Sequence, residues 1–392
     1  MISTIIFVIL LIDVVILTVF LFQLTLSSQR YKPKPGELGK INRLDDVPSV
    51  SLCIPARNET HALADCLTSA ISSDYPKLEI IVLDDCSQDQ TSQIIRSFAH
   101  DGVRFVKGSV PSEGWLGKNN AYRTLAEQAK GEYIVFMSVD ARVQPESINQ
   151  LISYMRLEKL SMLSVLPRRF DDLRASVIFA PLRYFWQLVT PLKFNTPMAT
   201  SLWAIRADSL NEIGGLEIDK DKVDIENRLA ARLDNLEEYH FLIANELLQV
   251  SYAKQWQSQT DTAIRLWYPI LQKSYPRALG VILAHLILFV LPPIVLVGGY
   301  ITIDNSHGYI DAAWVLALIA CLLSGYIYIS YFRAVKRVKT SLDIFVVFIS
   351  FFLVPVLAAQ EAVLVVASFY QYKRGKVDWK GRNICYPVAK RY

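Results

Sequence analysis

Tyr133–Pro145 reads YIVFMSVDARVQP. Residues of strand character, Tyr133 to Met137, run into a turn that carries a single carboxylate, Asp140, and then reach Pro145, whose fixed φ suits the first turn of a helix. A buried strand that ends on an acid can hold a metal ion or a charged ligand. A turn aspartate that caps the next helix would read the same way, so the meaning of Asp140 depends on what neighbouring strand ends carry.

Around this stretch, from Ser49 to about Tyr275, short apolar runs alternate with helical patterns. VSLCIPA (Val50–Ala56), LEIIVLDD (Leu78–Asp85), VRFV (Val103–Val106), EYIVFM (Glu132–Met137) and SMLSVLP (Ser161–Pro167) read as strands, with amphipathic segments such as Ala62–Ile71 and Gln88–Phe98 between them. This alternation predicts βαβ units and a mostly parallel α/β sheet. Such a sheet binds its ligand at the carboxyl ends of its strands. The polar groups fall there: PARNE after the first strand, DDCSQD after the second and SVDAR after the fourth. In DDxSxD one acid can meet a nucleobase or ribose and the other cap the next helix; a merely polar helix start is equally compatible.

The remainder of the 392-residue chain belongs in part to a bilayer, since 52% of its residues are hydrophobic and its mean hydropathy is +0.27. A net charge of +4 gives no support for nucleic-acid binding. Five cysteines without CxxC spacing suggest neither a disulfide framework nor a zinc site, and five dispersed histidines argue against a His-rich metal site. Ile5–Leu26 is an apolar run broken only by Asp13 and Gln23; lacking a basic leader and cleavage site, it reads as a retained anchor. The basic stretch Ser27–Arg43 after it places the α/β domain on the cytoplasmic side of the cell (plasma) membrane.

Three further apolar runs, Leu279–Ile303, Ala312–Phe332 and Ile344–Phe369, are joined by an acidic and then a basic connector. If all three crossed, the basic tail YKRGKVDWKGR (Tyr372–Arg382) would leave the cytoplasm, against its charge. One run is therefore expected to be re-entrant, with Pro355 or Pro292–Pro293 as the break. Ile264–Tyr275 reads as an interfacial segment. The expected organisation is an anchor (1–28), a basic linker (29–48), the α/β domain (49–262), an interfacial segment (263–276), membrane helices (277–371) and a basic tail (372–392). His285 and Glu361, inside apolar runs, are functional candidates or satisfied polar groups of a bundle.

PARNE (Pro55–Glu59), VLDDCSQDQT (Val82–Thr91), GWLGKNNA (Gly114–Ala121), VDARVQP (Val139–Pro145) and EIGGL (Glu212–Leu216) together resemble, in order and spacing, a family 2 glycosyltransferase of GT-A fold. GWLGK and the tail VDWKGR are similar to the membrane-embedded branch that glycosylates lipids, which includes carotenoid-acid, ceramide and hopanoid-associated glycosyltransferases. The resemblance implies a nucleotide-sugar donor, usually a UDP-sugar, a lipid acceptor at the membrane, Mg²⁺ or Mn²⁺, and inverting displacement at the anomeric carbon. It assigns nucleotide binding to Pro55, Arg57, Glu59 and Asp85 with Asp84 beside them, pyrophosphate contact to Lys118, and the neighbourhood of the donor sugar to Gly214 and Gly215. Aligning DKVDIENRLAARL (Asp221–Leu233) on Leu229, Arg232 and Leu233 puts Glu226 at the position of the general base, with Asp224 as the alternative.

Departures from the family pattern matter as much. Processive synthases carry Q-x-x-R-W, whereas this chain has only Arg265-Leu-Trp267, which favours a single transfer to a lipid over polymer synthesis. A catalytically silent binding or scaffold protein of the same fold is the reading from another class. Trp115, Arg265, Trp267, Trp379 and Arg382 are candidates for closing the site at the membrane side, or for ordinary interfacial anchoring. Where the family usually has D-x-D, this chain reads Ser138-Val139-Asp140, so Asp140 alone is left for the metal and weaker metal binding is expected.

Overall fold

A computed structural model describes residues 2–34, 47–169, 178–190, 196–302, 308–336 and 341–385. The chain divides into two compact units: Tyr31–Phe170, Thr196–Lys254 and Gly375–Tyr392 form an α/β unit, and Met1–Arg30, Asp171–Asn195 and Gln255–Arg374 form a helical one.

The α/β unit is built on a seven-stranded sheet of order β3-β2-β1-β4-β8-β6-β9. Its strands are Val50–Ala56 (β1), Leu78–Asp84 (β2), Val103–Lys107 (β3), Tyr133–Met137 (β4), Met162–Leu166 (β6), Leu202–Arg206 (β8) and Tyr239–Ile243 (β9). β3, β2, β1 and β4 are mutually parallel, crossing through Leu63–Ile71 (α2), Thr91–Ser97 (α3) and Gly117–Gln128 (α4). Chain order reverses its direction of travel across the sheet at β1, so the crevice beside β1 and β4 is the expected ligand position. β8 is antiparallel to both β4 and β6, which the run of strands and helices in the sequence does not announce. Pro55 sits in central β1 without breaking the sheet: pairing to β4 covers only Val50–Cys53, so its missing N–H faces no β4 partner.

Beneath the sheet Leu52, Ile54, Val82, Val135, Leu163 and Leu202 pack with α2 and with Ser147–Leu157 (α5) in one buried core. A second sheet of Ala141–Val143 (β5), Arg168–Arg169 (β7) and Val250–Tyr252 (β10) starts directly after the Asp140 turn. Asp140 therefore does not cap the helix after it; β5 intervenes, and α5 begins only at Ser147. Ala207–Glu212 (α7, after the short Arg183–Val189, α6, of the other unit) and Ile225–Asp234 (α8) complete the α/β helices. The tail returns to this unit as a small hairpin, Asp378–Trp379 (β11) against Arg382–Asn383 (β12).

The helical unit holds Ile2–Arg30 (α1), α6, Trp256–Ile270 (α9), Tyr275–His285 (α10), Leu291–Thr302 (α11), Gly308–Val335 (α12) and Ser341–Lys373 (α13). Among the described residues four helices, Thr4–Arg30, Tyr275–Gly298, Ala312–Val335 and Phe351–Lys373, are long and apolar enough to cross a membrane. Pro292–Pro293 does not open the first C-terminal run: a π turn, Leu286–Val290, joins α10 to α11 and the prolines fall in the first turn of α11, where a proline's missing N–H matters least. Pro355 lies in the middle of α13 and does not interrupt it either. Small residues let these helices approach: Leu10 packs on Ala313 and Ala317, and a Cβ added at Gly325 would lie 2.3 Å from the Phe351 ring. Glu361 accepts a 2.6 Å hydrogen bond from the backbone N–H of Leu182, and His285 pairs through Nδ1 with the Val281 carbonyl at 2.7 Å. Both have structural employment inside the bundle.

Candidate active site

The polar strand ends converge as the sheet topology demands. β1 delivers Arg57, Asn58 and Glu59; β2 delivers Asp84 and Asp85; β4 delivers Ser138 and Asp140; and α4 opens nearby with Gly117 and Lys118.

The paired acids after β2 divide their labour. Asp84 turns back into the loop, accepting from the Ser87 N–H at 2.9 Å and from the Ser92 hydroxyl. Asp89 holds the start of α3 through the Thr91 N–H at 3.0 Å. Asp85 faces the crevice, 2% exposed, with its Oδ2 2.6 Å from Arg382 Nη1. Burial pushes the Asp85 carboxyl above the ordinary carboxylate range, against the pull of Arg382 and Arg57. Arg57 braces the same wall from within, donating through Nη1 to the carbonyls of Asp85 and Cys86, the latter at 3.1 Å.

Glu226, in the first turn of α8, is 1% exposed. Its two oxygens lie 2.7 and 2.8 Å from Lys118 Nζ, and the Tyr122 hydroxyl donates to Oε1 at 3.0 Å. Burial alone would raise its pKa, but the Lys118 ammonium and the two hydrogen-bond donors more than offset this and hold the carboxyl below its usual range. The pairing is built by Asn119, whose buried Nδ2 donates to the carbonyls of Asp219, Lys220 and Lys222 and so ties the loop before α8 to the start of α4. Asp224, the alternative base, instead pairs with Arg228 one turn on, at 3.1 Å.

At the end of β4 the Asp140 carboxylate lies 3.6 Å from Lys254 Nζ, and the buried Ser138 hydroxyl has no hydrogen-bond partner among the described residues. Among those residues no group of three or more His, Cys, Asp or Glu side chains gathers to hold a metal. One carboxylate beside an orphaned hydroxyl fits a hard cation that takes its other ligands from phosphate and water, and not a cation caged by protein.

The remaining sequence candidates distribute unevenly. Gly214 and Gly215, with φ of 86° and 62°, end α7 by turning Gly215 N–H back to the Leu210 carbonyl, and a Cβ at Gly214 would strike Ile218. That turn accounts for both glycines. Trp115 is buried under Arg123, whose guanidinium lies 4.6 Å from the ring. Arg265 and Trp267 sit on α9 in the helical unit, where the Arg265 carbonyl accepts from Tyr372 at 2.8 Å. Trp379 and Arg382 lie on the hairpin of the α/β unit, and so does a residue that sequence reasoning passed over, Lys380, which pairs with Glu59. Tyr122 was also missed; only its one-turn spacing from Lys118 on a helix pointed to it.

Residues 51–209 match the family model described as Glycosyl transferase family 2. An uncharacterized protein of Mycobacterium tuberculosis is 29% identical over 150 residues, 38% of this chain and 41% of that protein. The 4,4'-diaponeurosporenoate glycosyltransferase of Staphylococcus haemolyticus is 32% identical over 123 residues, 30% of this chain and 32% of that enzyme. The matched part thus spans well under half of each relative. Among solved structures, a mannosyltransferase from Pyrobaculum calidifontis in complex with GDP-Man and Mn²⁺ superposes with a TM-score of 0.52 at 16% identity, covering 92% of this chain and 98% of that one, a likeness of fold.

Proposed function

We propose that this chain, which carries a glycosyl transferase family 2 domain, moves a sugar from a nucleotide-sugar to a lipid acceptor with inversion at the anomeric carbon. The observation that carries the reading is the buried Glu226–Lys118–Tyr122 cluster, beside a crevice lined by Arg57, Glu59 and Asp85. Arg57, Glu59, Asp84 and Asp85 would hold the nucleotide, with Pro55 shaping the strand end. Asp140, with the Ser138 hydroxyl, would hold Mg²⁺ or Mn²⁺, which supplies Lewis-acid stabilisation of the diphosphate leaving group. Glu226 would take the proton of the acceptor hydroxyl while that oxygen bonds to the anomeric carbon and the nucleoside diphosphate departs. Lys118 keeps the base ionised and desolvated; drawn towards the donor's phosphates, it would leave Glu226 a stronger base. Four apolar helices support a membrane acceptor.

The test is sugar transfer by detergent-solubilised protein from UDP-sugars or GDP-mannose to a lipid extract. Formation of a glycolipid with matching nucleoside diphosphate release supports the reading, and no product from any donor sinks it. In the same assay Ser138→Asp is expected to keep or raise activity and to lower the Mn²⁺ concentration for half-maximal rate, because it restores a carboxylate to the cation site. Loss of activity would contradict this account of the β4 turn.

Membrane topology follows from chain connectivity. The tail from Gly375 belongs to the α/β unit, as does the chain up to Lys254. An even number of crossings must separate them, whereas three apolar segments lie between. We assign the non-crossing role to α13. Its last turns pack Val365 and Phe369 against Leu271 and Ala278, at the entry to α10, and its first residue follows closely on α12. Cysteines introduced as Arg333→Cys and Asp378→Cys should react with an impermeant maleimide from the same face of the membrane; labelling from opposite faces would make α13 a full span.

A further inference from the structure

The β11–β12 hairpin is too small to have a core of its own. Lys380 and Gly381, at φ of 48° and 79°, make the two-residue turn, and the ends are closed by Ile384 N–H to the Val377 carbonyl at 2.8 Å and Cys385 N–H to Asn383 Oδ1 at 2.9 Å. Buried Val377 and Ile384 flank it, and the contacts that fix it to the strand ends of the α/β unit are charged. Lys380 Nζ pairs with Glu59, and Arg382 Nη1 pairs with Asp85 at 2.6 Å while Nη2 reaches the Asp85 carbonyl at 3.4 Å. In return, the Lys380 carbonyl accepts from Arg57 Nε at 3.0 Å and from Asn58 Nδ2 at 3.3 Å. The first residue of α4 leaves room for this arrangement, because a Cβ at Gly117 would come within 2.7 Å of Arg382 Nη1.

Both hairpin cations thus rest on carboxylates that a nucleotide needs for itself. Arg382 takes Asp85 Oδ2, one of the two oxygens to which a base or ribose would donate. Two further features favour transfer of these cations to phosphate. The β4 turn offers a divalent cation only one carboxylate, so much of a diphosphate's charge is left for side chains to neutralise. Arg382 Nη1 holds only one oxygen of the Asp85 carboxylate, and a phosphate arriving as that contact is given up keeps the guanidinium paired throughout.

We propose that Lys380 and Arg382 are diphosphate-binding residues of this site, parked on Glu59 and Asp85 until a nucleoside diphosphate group arrives, when they move onto its phosphates and Asp85 is released to the nucleoside. The exchange swaps two carboxylate pairs for two phosphate pairs and leaves the hairpin closed over the donor. A diphosphate presents two adjacent anionic groups, matching two cations spaced one residue apart across a tight turn, whereas a monophosphate engages only one of them well.

The inference rests on the nucleotide-sugar reading above, and the test separates the two. Dissociation constants for UDP, GDP, UMP and uridine are measured by calorimetry on the full chain in detergent, for wild type, Lys380→Met, Arg382→Met and Asn383→Ala. UDP or GDP binding is expected to weaken about tenfold or more in each of the first two variants, the loss of a charge-assisted hydrogen bond. UMP should weaken distinctly less, and uridine should bind unchanged or more tightly to Arg382→Met because Asp85 is free. Asn383→Ala, which removes the hairpin-closing bonds to the Cys385 N–H and the Gly375 carbonyl without altering either cation, should bind the diphosphate distinctly more tightly than either cation variant. If the hairpin were only a structural plug, both cation variants would bind UDP as well as or better than wild type, and the proposal would be overturned with the glycosyltransferase reading intact. Weakening by Asn383→Ala equal to that of Lys380→Met would also overturn it, since a merely destabilised hairpin gives that pattern. Absence of any diphosphate binding by wild type would overturn both readings together.

Discussion

Glu226→Gln is expected to reduce sugar transfer to a hydroxyl acceptor by about 10²- to 10⁴-fold, the usual contribution of a positioned general base. The amide keeps the size of the side chain and one acceptor for Tyr122, so loss of activity should come without loss of fold, as read from an unchanged near-ultraviolet spectrum. Lys118 is the qualifying partner. Its ammonium, 2.7 Å from the carboxylate, holds the Glu226 carboxyl below the ordinary range, so the base stays ionised throughout the neutral region. Removing that cation in Lys118→Met leaves desolvation opposed only by the weaker Tyr122 and backbone hydrogen bonds, and the acid limb of the pH–rate profile should move to higher pH. A structural ion pair with no role in proton transfer would not shift that limb. Turnover of Glu226→Gln equal to wild type with a hydroxyl acceptor would remove Glu226 from the chemistry. Turnover retained only with a carboxylate acceptor would instead identify an acceptor that is already ionised and needs no base.

The same pair marks the boundary of what the residues could reveal in one dimension. Strand ends such as Asp84–Asp85 and Ser138–Asp140 are legible because a buried strand is apolar by necessity, and the first polar residues after it must lie at the carboxyl edge of the sheet. The four parallel strands around β1 could be placed for that reason. β8 could not: SLWAIR has strand character, but nothing local tells a strand that it will enter between β4 and β6 in the opposite direction. Local pattern likewise left Asp140 undecided between a helix cap and a site ligand, and only the insertion of β5 removes the cap.

Partner identity was the least legible quantity. Glu226 and Lys118 are separated by 108 residues, and Arg382 and Asp85 by 297. Motif likeness named Glu226, Lys118, Asp85 and Arg382 one at a time, as though each waited for substrate. Folded, they neutralise one another, because buried charges are costly unless paired. Gly214 and Gly215 illustrate the opposite case: a glycine pair that motif likeness sends towards the donor sugar is accounted for by the left-handed turn that stops α7.

Trp203→Ala should be the most destabilising single substitution among the residues that support the site. Trp203, in the middle of β8, is fully buried; its ring stacks on Phe136 of β4 with centroids 4.3 Å apart, and Tyr122 of α4 meets it edge-on at 5.5 Å. These three rings join the sheet to the helix that carries Lys118, and the Tyr122 hydroxyl reaches from them to Glu226. Truncation removes a large apolar side chain from a site whose walls are two strands and cannot collapse, so a loss of about 3–5 kcal/mol is expected. In a unit of this size that corresponds to a fall in Tm of roughly 10 °C, measurable by thermal unfolding in detergent. The buried indole N–H has no partner to lose among the described residues, so Trp203→Phe should cost clearly less and retain most activity. If Ala and Phe destabilised equally, ring stacking would not be what holds α4 against β4 and β8. If Trp203→Ala lost transfer activity well below its unfolding temperature, while Trp203→Phe did not, the aromatic stack would be shown to position Tyr122, and through it the carboxylate on which the proposed chemistry turns.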